Sequence, residues 1–597
     1  ILGYMELERE YEGYRAPYVI YLTDTWEELG DIPPAYEGST LTGTSFRKFP
    51  RITGLRNPIT KRPYIKRMTS ERDFNQCLDE PFVKALDKLQ RVPWRLNTTL
   101  VKAMRDNVSK FVDMKDSSDK GKSKRIEMKF VLNKANAIGD QTFYQAVECD
   151  YRGRVYYTES FLNFQGSDIA KGLFEFDEGK RLGPRGYYWL CIHTACSYNK
   201  SYTLDELETM PWLSKDYKTH LEEEGLDTIS VDKMTLDDRA QWTLKNINMI
   251  LDSAKNLEFK MDAEKPVTLL ACALDLKGYL ETGEDYKSHL PIPVDGSNNG
   301  WQHLAAISKD KQAGALVSLT PTPIQKDFYV AVAKSLIELM PDWFETRNMP
   351  MKHIRKGIAK RGSMTRAYSA GKKKIQSNMY DDCHVEGYTS KYSITEDDTD
   401  LLAGNLIKAI NAVCAGPLKT TKYLQKIAEH ELNCGEHGME WVTPSGFPVK
   451  YKVYLQHERR YQGTIKGVNN NKSISHIVKV DVRHRETHEK VPCRRSFASG
   501  ISPNLVHSYD ASHMANTIVS FNGSFGAVHD SFSSHASEID FLQEVTKMTF
   551  IAQYDVDNFF NILQDNLMDN KDTFTFNQPE LGSLELSDVN NSEYFFC

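Results

Sequence analysis

The chain has 597 residues, with 75 Lys plus Arg against 81 Asp plus Glu, a formal charge of −6. No net positive field can coat its surface, which excludes a histone-like nucleic-acid wrapper. With 40% apolar and 11% aromatic residues it can build several cores and is not a disordered protein. Apolar runs are short, which predicts no transmembrane helix and no membrane partner. The start, Ile1-Leu-Gly-Tyr4, carries neither an initiator Met nor a basic and apolar leader. The expectation is a chain whose first residue is not the natural start and which lacks a secretory signal. Ten cysteines without a CxxC pair fit reduced thiols inside a cell.

In chain order, residues 1–85 are rich in Tyr and Pro and give no clear pattern. Apolar spacing predicts helix over 80–113, through Phe82, Leu86, Leu89, Leu96, Leu100 and Met104. Residues 113–125 are nearly all polar or charged and read as a mobile loop. A strand pattern runs over 143–157, broken at 150–154. Helical signals fill 180–285, and 290–294 reads as a strand that runs into Asp295-Gly-Ser. Helices are expected over 323–339, 354–374 and 396–431. Period-two alternation over 441–482 predicts a hairpin with Asn469-Asn-Asn-Lys472 near its tip. A helix over 512–521 and a strand over 527–530 follow.

Two aspartates stand out. Asp295 ends an apolar strand, and Asp530 sits in Ala527-Val-His-Asp-Ser-Phe532 on an expected buried strand. A charge facing a core is costly unless paired or metal-bound. Brought together, the two could hold a pair of Mg²⁺ ions for in-line displacement at phosphorus; singly, each could be a strand-end Asp satisfied by loop amides. Lys356, Lys360, Met364 and Tyr368 recur every fourth residue and share one helix face. That face suits a triphosphate beside a sugar or base, although a solvated basic face has the same spacing.

Several segments, in order, resemble the single-subunit RNA polymerases of bacteriophages and mitochondria. Asp295-Gly-Ser-Asn-Asn-Gly-Trp-Gln-His303 resembles motif A, Lys360-Arg-Gly-Ser-Met-Thr-Arg-Ala-Tyr368 motif B, and His529-Asp-Ser-Phe532 motif C. Asp150-Tyr-Arg-Gly-Arg-Val-Tyr156, Gln165-Gly-Ser-Asp168 with Lys171-Gly172, Trp441-Val-Thr-Pro-Ser-Gly-Phe-Pro448, Ser502-Pro-Asn-Leu-Val-His-Ser508 and Ser592-Glu-Tyr-Phe-Phe-Cys597 are similar to further family segments. The resemblance covers about 50–597.

It implies an α+β, mainly helical, right-hand fold of palm, fingers and thumb with an antiparallel palm sheet. The expected division is 1–85 a reduced N-terminal domain, 86–149 thumb, 150–315 first part of the palm, 316–504 fingers including a hairpin at 450–482, and 505–597 second part of the palm with an aromatic foot. The implied activity is DNA-dependent RNA synthesis by a compact phage member, in the cytoplasm of an infected bacterium, on a DNA template with nascent RNA and ribonucleoside triphosphates. Two Mg²⁺ are implied, on Asp295, Asp530 and the Gly296 carbonyl. Lys360 would hold the triphosphate and protonate the leaving group. Tyr368 and His507 would meet the ribose, and Arg154 the hybrid or the sugar. Lys255 would make a further phosphate contact, and Tyr329 would line the path by which substrate enters. Lys356 stands where the family has an arginine, which costs the bidentate fork, and Arg355 is expected to compensate.

The small residues of Gly296-Ser-Asn-Asn-Gly300 raise no wall against a 2′-hydroxyl and favour ribonucleotides. A short N-terminal region suggests that promoter opening falls to single-stranded template, a phage single-stranded-DNA-binding or promoter-opening protein, or a second subunit. The rival readings are a DNA polymerase or primase on the same palm, a catalytically inactive polymerase-like DNA-binding factor, and a nuclease. Cys191-Ile-His-Thr-Ala-Cys196 and His484-Arg-Glu-Thr-His488 lack zinc-site spacing and read as structure. Positive charge gathers at 120–125, Arg152, Arg154 and 352–374, so nucleic-acid binding should be salt-sensitive despite the net charge.

Overall fold

The computed structural model describes residues 41–597 except Thr69, Met114, His437, 467–470 and 485–486; for Asp119, 459–466 and 471–476 it gives the backbone alone. The fold is mainly helical with small antiparallel sheets. Helix α1 (Pro81–Gln90) starts on Pro81 at a position where the missing N–H is harmless. The expected helix over 80–113 is interrupted at Pro93 by a short strand, Trp94–Leu96, that pairs with Phe174–Phe176. Trp94 is fully buried there among Phe164, Phe174 and Phe176.

Helix α2 (Asp119–Ile138) overturns the loop expected at 113–125 from Asp119 onward, while the described residues of 113–118 are non-helical. Low apolar content misled that reading. Ser118 accepts from Gly121 N at 3.1 Å and caps the helix, while Arg125 donates to the Asp113 and Asp116 carbonyls. Strands β1 (Val147–Cys149) and β2 (Val155–Tyr157) form a hairpin around the 150–154 turn. Helices α3 (Gly183–Tyr198), α4 (Leu236–Lys245) and α5 (Ile247–Asn256) follow.

The centre is a three-stranded antiparallel sheet. Strand β3 (Pro291–Asp295) leads into α6 (Asn299–Ser308). Then come α7 (Phe328–Leu339), a π-helical turn at Ile354–Ala359 running into α8 (Lys360–Ala367), and α9 (Lys372–Val385). Helices α10 (Glu396–Val413) and α11 (Ala415–Asn433) split the single helix expected over 396–431; they meet at 106° around Cys414. Among the described residues no single helix is long and apolar enough to cross a membrane. The expected hairpin is present as β4 (Gln456–Lys466) and β5 (Asn471–Asp481), paired along their full length. Asn469 and Asn470 lie outside the described residues, as do the side chains of Asn471 and Lys472.

Helix α12 (Arg494–Ser520) begins well before the expected residue 512 and runs through Pro503, the breaker that had hidden its first half. It packs against α1, α11 and α13 (Ile539–Tyr554), which follows β6 (Gly526–Val528) and β7 (Ser531–His535). Strand β7 lies between β3 and β6, with Asp295 opposite Ser531. Behind this sheet, Phe532 stacks on Phe596 at 5.0 Å, and Phe595 packs on Phe550. Each such buried ring contributes roughly 1.5–3 kcal/mol.

Candidate active site

Asp530 is not on the strand the sequence suggests. β6 stops at Val528, His529 takes a left-handed turn at φ +53, and Asp530 sits at the hairpin corner. The corner is pinned to β3 because Gly296 N donates to the Asp530 carbonyl at 3.1 Å. Residues 595–597 run along the other side of β3: Asp295 N donates to Cys597 O and Cys597 N to Asp295 O, both at 3.2 Å. Ser297 Oγ donates to Tyr594 O at 2.9 Å, and Gln302 Nε2 to Phe595 O at 3.1 Å. Asp295 is thus held from both flanks.

The two carboxylates meet at the floor of one cavity of about 710 Å³. Asp295 is open to that cavity yet ringed by protein. Burial raises its pKa, against the pull of Lys171, Lys265 and Lys233. Asp530 is pushed up to about 7, first by burial and then by the negative charges of Asp510 and Asp295. Two crowded anions made of hard oxygen donors fit a hard dication such as Mg²⁺. Among the described residues no group of three or more His, Cys, Asp or Glu forms a metal cluster. Further coordination would therefore come from backbone, water or substrate oxygens, and Gly296 lies on this floor.

Cations line the same cavity. Arg355, Lys360, Met364 and Tyr368 face the cavity, whereas Lys356 does not. The cause is the π-turn. Its i→i+5 bonding widens one turn, so Arg355 and Lys360, five apart, come onto one face. Lys356 turns outward to Glu386 at 2.7 Å, with its side chain 54% exposed. The even four-residue spacing expected for 356, 360, 364 and 368 therefore holds only from Lys360 onward. Arg355 Nε donates to Asp327 at 2.6 Å; Asp327 also caps α7 by accepting from Tyr329 N and Val330 N. Burial lowers the Lys360 pKa, helped by Arg355 and Lys233.

Four cavity lysines carried no role in the sequence reading: Lys171, Lys233, Lys265 and Lys326. Lys171 is pushed down to about 8 by burial and by Lys265. Lys255, the residue expected to fill this place, lies on an exposed face of α5 outside the cavity wall. The run Lys171-Gly172 was the only sequence sign of this group.

Tyr329 lines the cavity and donates its hydroxyl to Asn298 Oδ1, while Gln325 Nε2 donates to Ser297 Oγ at 2.8 Å. Asn298 is left-handed at φ +60 and starts α6. The Tyr368 hydroxyl closes over Gly300, where a Cβ would come within 2.8 Å of it. The Tyr368 ring lies 4.5 Å from that of His507. Burial, with Arg154 and Arg152 nearby, pushes His507 down to about 3, so it is neutral. Arginine only donates, so His507 Nδ1 accepts from Arg152 Nη1 at 2.8 Å and the ring proton sits on Nε2. Arg154 lies behind this wall and not in it. It donates through Nε and Nη2 to Asp510 at 3.0 and 2.6 Å, and Asn299 Nδ2 donates to the other Asp510 oxygen at 2.7 Å. Asp510 and Asn299 are further site-supporting residues that the sequence did not mark.

The family model described as DNA-dependent RNA polymerase matches residues 180–578. The chain is 28% identical to the mitochondrial DNA-directed RNA polymerase 1 of Arabidopsis thaliana, over 87% of this chain and 54% of the relative. It is 26% identical to T7 RNA polymerase of Escherichia phage T7, over 80% of this chain and 56% of the relative. With the mitochondrial DNA-directed RNA polymerase of Homo sapiens the identity is 27%, over 79% and 37%. The chain spans about half the length of the curated relatives it matches. A match that takes in the β3 and β6–β7 carboxylates, the π-turn and α12 makes this chain a member of the single-subunit DNA-dependent RNA polymerase family.

Proposed function

We propose that this chain carries out template-directed RNA synthesis on DNA, joining a primer 3′-hydroxyl to the α-phosphate of a ribonucleoside triphosphate with release of pyrophosphate. One observation carries the reading: Asp295 and Asp530 face the same cavity as Arg355, Lys360 and four further lysines. In right-hand terms the β3–β7–β6 sheet is the palm and the π-turn with α8 belongs to the fingers. Likeness to T7 RNA polymerase supports transcription of phage genes as the setting.

Asp295 and Asp530 would hold Mg²⁺, which when bound lowers the pKa of the attacking hydroxyl and screens the triphosphate. Arg355 and Lys360 orient the triphosphate. Lys360, whose proton is loosened by burial and cationic neighbours, hands it to the departing pyrophosphate. Lys171, Lys233 and Lys265 add positive charge that stabilises the pyrophosphate. Neutral His507, donating from Nε2, and the Tyr368 hydroxyl are the polar groups set to meet the ribose 2′-hydroxyl, while Gly296–Gly300 leaves room for it. A site that hydrogen-bonds a hydroxyl rejects the analogue lacking it.

The test is extension of an RNA primer on a DNA template with Mg²⁺, ribonucleotides against deoxyribonucleotides. Ribonucleotides should be preferred by at least about 10²-fold in kcat/KM; a preference for deoxyribonucleotides would move the chain to the DNA polymerase reading. The π-turn makes a second expectation. Arg355→Ala should lower kcat/KM for the nucleotide by about 10²-fold, the loss of one charge-assisted phosphate contact of about 3 kcal/mol. Lys356→Ala, already turned to Glu386, should cost less than about threefold, close to the worth of an exposed pair. Steady-state nucleotide kinetics on the two variants decide it, and equal losses would mean the register shift has no functional weight.

A further inference from the structure

Two runs of cation–aromatic contact lead away from the site, and their outer members, Lys66, Arg67, Tyr151 and Tyr156, take no part in the steps above. In the first, the Arg67 guanidinium lies 4.7 Å from the centre of the Tyr151 ring, and the Arg152 guanidinium 5.3 Å from the same ring. Arg152 reaches His507, and His507 packs on Tyr368 at the cavity wall. In the second, the Lys66 ammonium lies 5.5 Å from the Tyr156 ring, which meets the His529 ring at 5.1 Å, one residue from Asp530. Adjacent residues, 66 and 67, thus start two tracks that end beside the reacting centre, one at His507 and one at His529.

The start of the tracks is tied down by hydrogen bonds. Lys66 N donates to Cys149 O at 2.9 Å, Met68 N to Ile65 O at 3.3 Å, and the Tyr151 hydroxyl to Asn504 at 2.7 Å. Lys66 is shared with Glu148 at 2.8 Å. Arg67 is exposed and has no carboxylate partner among the described residues. Its backbone is left-handed at φ +72, a conformation that L side chains adopt at a cost and that collects at binding sites. A planar guanidinium laid on an aromatic ring, with its outer edge free, is built to take a phosphate.

We propose that Arg67, supported by Tyr151 and Lys66, binds the phosphodiester backbone of the growing RNA strand just upstream of its 3′ end. The assignment rests on Asp295 and Asp530 being the reacting centre. The lysine-lined cavity is filled by the triphosphate, so the strand that delivers the 3′-hydroxyl must approach Asp530 from the other side. The Lys66–Tyr156–His529 track ends on the residue next to Asp530, and Lys66, Arg67 and Tyr156 lie outside the cavity lining.

The experiment measures binding of an RNA–DNA primer–template hybrid by wild type, Arg67→Gly and Arg67→Lys across a salt series. Glycine suits the left-handed backbone, so the variant removes the side chain without a folding cost. Arg67→Gly should bind the hybrid about three- to tenfold more weakly at about 0.15 M salt, with the slope of log K against log salt smaller by about one, and Arg67→Lys should recover part of both. A single uncharged methylphosphonate near the 3′ end of the primer strand should weaken wild-type binding and leave Arg67→Gly unaffected; the same linkage in the template strand should weaken both alike. Undiminished hybrid affinity in Arg67→Gly overturns the proposal. So does a loss that follows template-strand linkages, or a raised nucleotide KM with hybrid affinity intact. A wild-type chain that binds no hybrid overturns the polymerase reading together with this one, which separates the two failures.

Discussion

Asp530→Asn should stop RNA synthesis while the protein remains folded and still binds primer–template. The side chain keeps its size and its place at the β6–β7 corner, whose backbone bond to Gly296 N does not depend on the carboxylate. On the proposed reading the variant loses one of two anionic metal ligands, and a metal's charge stabilisation is worth several kcal/mol, so extension should fall by about 10³–10⁴-fold. Stability should move the other way. In the metal-free protein burial, and then the charges of Asp510 and Asp295, push the Asp530 pKa up to about 7, so its ionised form is disfavoured. Removing that charge relieves repulsion, so Asp530→Asn should melt no lower than wild type without divalent ions. With Mg²⁺ added, wild type should gain melting temperature and the variant less, because only binding to the folded state stabilises it. Single-turnover extension and thermal melts with and without Mg²⁺ check all three. Near-normal extension would remove Asp530 from the reaction.

The contrast between Asp530 and Arg355 shows what the sequence could carry. A strand running into Asp-Gly-Ser and an Asp inside an apolar hairpin are local signals, and both residues reach one cavity. The register of 354–368 is not local. An even spacing of four assumes an unbroken α-helix, and nothing in Ile354-Arg-Lys-Gly-Ile-Ala359 announces the widened turn. That turn moved the inward cation from Lys356 to Arg355. Lys171, Lys233 and Lys265 become neighbours only when three separate segments pack together. At 113–125 the failure ran the other way: a solvent-facing helix start has no apolar stripe to read, and its cap, Ser118, looks like any loop serine. The general outline, helices around a small antiparallel sheet, was legible because long apolar periodicities survive these local errors.

Asp510→Ala should be the most destabilising single change in the site region. Asp510 is 2% exposed and accepts from Arg154 twice and from Asn299 once. Burial alone would raise its pKa; the Arg154 charge, with His303 and the hydrogen bonds, outweighs burial and holds it below the usual carboxylate range. Truncation leaves the Arg154 guanidinium buried without a counter-charge and Asn299 without its acceptor, a loss of about 3–5 kcal/mol. A carboxylate with a depressed folded-state pKa contributes stability above its unfolded pKa and loses it as pH falls through the folded value. Wild type should therefore lose this advantage only in acid, and the gap between wild type and Asp510→Ala should narrow there. Urea melts at neutral and acidic pH measure both quantities. The pair also positions: Asn299 opens α6 directly behind Asp295, and Arg154 backs the Tyr368–His507 wall. Replacing both charges, Arg154→Met with Asp510→Leu, should restore much of the stability, since apolar packing can stand in for a buried pair. It should not restore ribonucleotide preference, because no apolar side chain can accept from Asn299 or keep the Arg154 charge behind the Tyr368–His507 wall. Recovery of stability and sugar selection together would show that the buried pair is structural only; recovery of stability alone assigns it to aligning the wall that meets the ribose.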